Sequence, residues 1–393
     1  MPNLPRSADA IVVGGGIVGA AAARALARAG MAPLLLEARA FGGAVTGASL
    51  AAIGTHMHGM EEFALLDAGC RLWSDLAEDL ENPFEYSLSG QLRFVLHEAD
   101  IAVARSWVER ETQAGADCRL ISAQEARELE PLMTGPLLAA TWAPATATVN
   151  PFLALRSVLA SARQNGATAH QDVPVEGLIL SDGRVTGVQT RGGPIATPHV
   201  VLAGGPWTAR LAAMAGVALP MRPRQAQCLA SVRRPPGTIR RVISACERAG
   251  GVDSGYTQIQ QAASGQILFN TVTAPVDATD GVQDGVHEVP LGFVAESIDT
   301  LLVLFPALAG IALLRSWARF EAVTPDSRFY AGPTPVPGLH VAAGDNGSGF
   351  CRALMLAEVV ADGVTGQSLL PAARLREAAR LYDPMRFAPE GRA

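Results

Sequence analysis

Gly14, Gly16 and Gly19 form a GxGxxG spacing between an apolar run at 10–13 and an alanine-rich segment at 20–29, with Gly30 placed to stop the helix. The first glycine permits a tight turn. The second lets the backbone approach a pyrophosphate, and the third lets a helix pack close to a strand. A helix N-terminus at that point offers unpaired N–H groups and a positive dipole end to phosphate. A second apolar run at 34–36 ends on Glu37, whose carboxylate could accept from both hydroxyls of an adenosine ribose. With two strands, a helix and an acid in register over 9–39, the chemistry indicated is dinucleotide binding. The bland alternative is a glycine-rich βαβ turn that binds nothing.

Other residues could do chemistry with less support from spacing. His56 and His58 would share one face of an extended stretch. A His-x-His pair suggests a metal, but the spacing supplies no third ligand, so no metal site is expected and one histidine, with His56 as the candidate, is kept for a cavity or a buried polar role. Tyr256, Gln258 and Asn270 fall on short expected strands and could line a cavity. Cys70, Cys118, Cys228, Cys246 and Cys351 form no CxxC pair, which argues against an iron–sulfur or structural zinc site. An odd, scattered set suits a reducing cytoplasm. All 31 basic residues are arginine, so no step can use a lysine amine.

These candidates must be held by a folded scaffold. A chain of 393 residues that is 49% hydrophobic and 17% charged can bury two cores. A net charge of −6 gives no support to nucleic-acid binding. The N-terminus lacks the basic and apolar regions of a signal peptide. The most apolar later run, 301–314, is broken by Pro306 and Gly310 and is too short to span a bilayer. A helix followed by a buried strand is expected there, and no transmembrane segment.

Helices are expected at 61–80, 98–115, 123–130, 150–166 and 352–365, the fourth opened by Asn150 as cap and Pro151 at its first position. Strands are expected at 91–96, 170–175, 197–203 and 339–344, with a hairpin over 178–190. From 219 to 314 short strands alternate with turns, as at 256–260 and 266–272. A second glycine turn occupies 345–350. The nucleotide-type elements thus fall in three separated pieces, with a mostly antiparallel layer between them. The fold class is α/β (α+β overall).

Four segments recur in order: the opening fingerprint, VVLAGGPW at 200–207, TPDSRFYAG at 324–332 and GLHVAAGDNGSGF at 338–350. Together they resemble the FAD-dependent D-amino-acid oxidase superfamily, which includes glycine oxidase, sarcosine oxidase and bacterial amino-acid dehydrogenases. The resemblance implies a Rossmann-like FAD-binding domain from 1–85, 146–217 and 325–393. It implies an inserted substrate domain from 86–145 and 218–324. Gly14, Gly16 and Gly19, with Ile17 and Val18 at the helix start, would face the FAD pyrophosphate. Glu37 would take the ribose, with Ala38 and Arg39 beside the adenosine. Thr46, Ala48 and Ser49 would line the pyrophosphate and ribityl chain, and Val175 would meet the adenine through its backbone. Ala203, Gly204 and Trp207 would turn beside the cofactor. Asn346, Gly347, Ser348, Gly349 and Phe350 would pass under the isoalloxazine.

The implied reaction oxidises the C–N bond of an amino acid or secondary amine by hydride transfer to flavin N5, giving an imine that hydrolyses. Tyr256, Glu321, Arg319 and His56 are the candidate catalytic residues. Glu321 stands where the family pattern WAGLRPMTPD carries an arginine for a substrate carboxylate. Two carboxylates about 4 Å apart would repel by roughly 4 kcal/mol at an effective dielectric near 20. Either the substrate presents a cation, or Arg319 takes over, or Glu321 pairs with a nearby arginine. Arg319 also replaces the cysteine that binds flavin covalently in monomeric sarcosine oxidases, so FAD should be noncovalent. Cys351 replaces a flavin-side lysine, with Arg352 as a candidate substitute. This leans towards a dehydrogenase with electron-transfer partner subunits, in the cytoplasm and peripheral to the inner membrane at most through those partners.

Overall fold

Side chains alternating between two buried faces on short, mostly parallel strands organise the first of two large sheets. The structure is a computed structural model, and it describes residues 4–248, 257–271, 276–277 and 287–388. A six-stranded sheet runs in the order Tyr330–Pro333, Leu339–Ala343, Val200–Leu202, Ala10–Val13, Pro33–Leu36, Thr168–His170. All its pairings are parallel except that of the edge strand Tyr330–Pro333. Ala10, Val12, Leu35, Val201 and Ala342 point to the helical face. Ile11, Val13, Leu34, Leu36, Val200, Leu202 and Val341 point the other way, onto Val185, Val188 and Ile195 of a three-stranded antiparallel sheet. Strands buried on both faces read as continuous apolar runs, as these do.

Helix Ile17–Arg28 lies between helices Pro151–Gln164 and Gly349–Thr365 on the helical face. Its run of alanines permits close approach on both sides. Arg28 donates to Glu358 at 2.6 Å, tying the first helix to the C-terminal one. Asn150 caps its helix as expected, accepting from the N–H groups of Phe152 and Leu153.

The second large sheet draws on strands between Gln91–Val95 and Leu313–Val323 and is antiparallel except where Val242–Ala245 meets Gln91–Val95. Its two longest strands, Arg222–Arg233 and Leu313–Val323, pair from Arg222↔Val323 to Ser231↔Leu313 and carry one wall of the site. Helix Leu291–Leu304 and strand Leu313–Val323 occupy the region of the apolar run at 301–314. Among the described residues no helix is long and apolar enough to cross a membrane.

Two local expectations are corrected. The strand expected at 170–175 is the end of one strand, a loop, and the start of another. Asp172 takes φ +60°, while the Asp172 and Val173 N–H groups bond to the carbonyls of Arg39 and Glu37. The stretch around His56 and His58 is a turn, with Met57 at φ +56°, so the two histidines do not alternate along a strand.

Candidate active site

The groove between the two sheets encloses about 1380 Å³, above the roughly 300–1,000 Å³ of most small-molecule pockets. At one end the fingerprint turn is packed too closely to admit side chains at two of its glycines. A Cβ on Gly14 would lie 2.4 Å from the Ala203 carbonyl oxygen, and one on Gly19 would lie 1.9 Å from that of Gly14. Gly14, Gly16, Ile17 and Val18 line the groove. Gly19 does not, which corrects its expected place against a phosphate: it lets the helix press onto the turn. Thr46 Oγ1 accepts from the Ile17 N–H at 3.0 Å and caps the helix across the groove floor.

Glu37 Oε2 accepts from Gly15 N–H at 2.6 Å and Oε1 from Arg39 N–H at 2.8 Å. Each carboxylate oxygen keeps a second lone pair for a ligand hydroxyl. Ala38, Arg39, Ala48, Ser49, Val175, Ala203, Gly204 and Trp207 also line the groove. At the far end so do Gly347, Ser348, Gly349 and Phe350. Asn346 is the exception and is corrected: its Oδ1 accepts from Thr324 N–H and its Nδ2 donates to Gly344 O, so it braces the turn from behind.

The inner wall adds Arg224, Gln227 and Asp345, which the sequence did not single out, to the expected Glu321, Arg319, Gln258 and Asn270. Arg224 Nε donates to Glu321 Oε1 at 2.6 Å, and the pair packs against Gly347. Of the three alternatives for Glu321, pairing with a nearby arginine is the one realised. Burial raises the Glu321 carboxyl, and the Arg224 charge opposes that shift. Asp345 accepts from Ala322 N–H at 2.6 Å. Burial first, and then the Glu321 charge, push its carboxyl up to about 7. Arg319 lines the groove and donates through its guanidinium to Ala318 O at 2.8 Å. Gln258 and Asn270 line it too, Asn270 Oδ1 accepting from Gln258 N–H at 3.0 Å. Tyr256 lies outside the described residues.

The alternating polar run RPRQAQ at 222–227 was the available signal for this wall. Gln227 is 3% exposed, and its Oε1 has no hydrogen-bond partner among the described residues. A buried acceptor left open in a groove wall is what a ligand donor would satisfy. This orphan, the tight glycine turn and the open lone pairs of Glu37 together fit an extended dinucleotide.

His56 does not line the groove and takes the buried polar role instead of the cavity one. It is 1% exposed, Nδ1 bonds to Glu111 and Nε2 to Thr141, both at 2.6 Å. Burial and the Arg93 charge lower its pKa, while Glu111 opposes the shift. His56, Glu111 and Cys118 bring ligand-type atoms within 4.8 Å of one another, a third partner that sequence spacing could not show. Both Glu111 oxygens are already used, by His56 and by Met57 N–H. Arg352, the candidate substitute cation, does not line the groove. It is buried against Glu62, donates to Ser348 Oγ and lies over the Phe329 ring.

A family model described as FAD dependent oxidoreductase (DAO) matches residues 9–363. The chain belongs to that family. This FAD-dependent oxidoreductase is 26% identical over 358 residues to sarcosine oxidase subunit beta of Arthrobacter sp, covering 89% of this chain and 85% of the relative. It is 24% identical over 345 residues to glycine oxidase of Bacillus subtilis, covering 84% and 86%. The crystal structure of L-proline dehydrogenase from P. horikoshii superposes with a TM-score of 0.87 at 27% identity, over 98% of both chains.

Proposed function

We propose that this oxidoreductase oxidises the C–N bond of a small amino acid or secondary amine. The observation that carries the reading is the groove itself. It runs from Glu37 and the fingerprint turn to the Arg224–Glu321 pair and the second glycine turn. Relatives named for sarcosine, glycine and proline chemistry support the substrate class.

In this reading 1–85, 146–217 and 325–393 hold FAD and 86–145 with 218–324 hold substrate. Gly14, Gly16 and the Ile17 helix start cradle the pyrophosphate, and Glu37 takes the ribose. Arg319 has no thiol to attach, so FAD is held without a covalent bond. When bound, FAD supplies N5 as hydride acceptor for the carbon that carries nitrogen. The chain's own residues orient the amine and manage its proton. Arg224, with its charge partly met by Glu321, offers remaining N–H donors to a substrate carboxylate. Asp345, raised towards neutrality, takes the proton that an ammonium must lose before oxidation. Gln227 Oε1 accepts from an N–H of the ligand.

A second reading is a flavoprotein subunit of a multi-subunit dehydrogenase in the cytoplasm. Two observations favour it: Cys351 lines the groove where the family's lysine would sit, and Arg352 is tied up by Glu62. Anaerobic bleaching of the flavin against D-amino acids, N-methyl amino acids, cyclic imino acids and opines tests the first reading. Bleaching by one class supports it; no bleaching by any class, or a colourless protein that takes up no FAD, overturns it. Gel filtration of the natively expressed chain, read for co-eluting subunits with iron or FMN, tests the second.

A further inference from the structure

Cys70 and Cys351 are distant in sequence, but their Sγ atoms lie 3.9 Å apart. Cys70 belongs to helix Phe63–Asp79 and Cys351 to the first turn of helix Gly349–Thr365. Gly69 lets these helices approach: a Cβ there would lie 3.3 Å from the Cys351 carbonyl oxygen and 3.4 Å from Met355 Cβ. Cys351 is part of the groove wall, and Cys70 is partly exposed. The separation between the sulfurs is van der Waals contact for two thiols. A disulfide needs about 2 Å, so the sulfurs must close by roughly 2 Å for the bond to form.

We propose that Cys70 and Cys351 form a redox couple, a dithiol that closes to an intrachain disulfide when a hydroperoxide enters the groove.

The pair is chemically asymmetric, as such a couple requires. The Cys70 contact and the Arg352 charge lower the Cys351 pKa against the opposing effect of burial. The N-terminal turn of a long helix also favours a thiolate there. Cys70 is pushed up, first by that same contact and then by burial. The other three thiols are raised by burial, Cys118 and Cys246 to about 11 and Cys228 to about 12. Cys351 faces the groove that a hydroperoxide would enter and lies in the first turn of a long helix, so it is assigned as the nucleophile and Cys70, behind it, as the resolving thiol.

The Cys351 thiolate attacks one peroxide oxygen, the O–O bond breaks, and the departing oxygen leaves as an alcohol or water with a proton. This leaves a sulfenic acid on Cys351. The Cys70 sulfur then attacks that sulfur, the S–O bond breaks, and water leaves with the Cys70 proton. Two thiols are oxidised and one hydroperoxide is reduced. The new bond would staple the helix after the second glycine turn to helix Phe63–Asp79.

This inference does not depend on which amine is oxidised. The test treats reduced, FAD-loaded protein with hydrogen peroxide and reads thiol count, intact mass and peptide map. Two of the five thiols should disappear, the mass should fall by about 2 units, and one cross-linked peptide should join Cys70 to Cys351. A reductant should restore all five. In Cys70→Ser, dimedone should trap a sulfenic acid on Cys351; Cys70→Ala serves if the serine variant does not fold. In Cys351→Ser, Cys70 should remain a thiol. The proposal is overturned if all five thiols survive a dose that oxidises methionine. It is also overturned if the bond forms through Cys118, Cys228 or Cys246, or if the sulfenic acid appears on Cys70.

Discussion

Arg224 and Glu321 stand directly opposite each other across the antiparallel pair Arg222–Arg233 and Leu313–Val323, joined at 2.6 Å on the wall of the groove. Removing one partner leaves the other charge desolvated and unpaired. Glu321→Gln should cost about 2 kcal/mol of stability, read by urea unfolding. It should also free Arg224, so that KM for carboxylated amines falls about tenfold relative to amines without a carboxylate. Unchanged stability together with an unchanged substrate panel would remove this pair from the site.

The fingerprint turn predicts a separation of fold from flavin affinity. Gly19→Ala places a methyl group 1.9 Å from the Gly14 carbonyl oxygen, so the helix must retreat from the turn. The variant should purify with little flavin and a lowered Tm. Glu37→Gln keeps an acceptor for the turn but loses the charge, and should weaken flavin binding by about 1–2 kcal/mol, roughly tenfold. Flavin fluorescence during titration of the stripped protein checks both.

His56 is expected to matter for stability and not for turnover. His56→Leu strips the buried Glu111 carboxylate of its ring donor and leaves Thr141 short of a partner. A loss of about 3 kcal/mol is expected, with kcat held within about twofold. A hundredfold fall in kcat at unchanged Tm would return His56 to the catalytic machinery.

His340 gives the pH dependence a sign. It is 4% exposed beside His199, and burial first, then the His199 charge, lower its pKa from 6.5 to about 4. Between those values the unfolded chain binds a proton that the folded chain refuses. Stability therefore rises with pH across this window and is lost on acidification, by up to about 3 kcal/mol. His340→Gln should flatten that part of the stability profile in urea titrations from pH 4 to 7. A slope equal to that of the parent would assign it to other groups.

The features legible in the sequence are those written in contiguous residues. The fingerprint over 9–39 carries its strand, turn, helix and acid within one local unit, and Asn150 with Pro151 marks a helix start without outside help. Four strands of the six-stranded sheet, Ala10–Val13, Pro33–Leu36, Val200–Leu202 and Leu339–Ala343, followed from apolar runs that suit strands buried on both faces. Residues 170–175 misled because Val173 and Val175 are apolar enough for a strand, while Asp172 takes a left-handed turn held by the carbonyls of Arg39 and Glu37.

Local pattern could not pair residues that only the closed sheets bring together. The fingerprint glycines and Glu37 were determined by the sequence itself, since backbone sterics and a nearby carboxylate act over a few residues. The partner of Glu321 lies 97 residues away, that of His56 55 away and that of Cys70 281 away. Their charge and proton states depend on burial and on a neighbour from another strand or helix, and those exist only once the chain has folded.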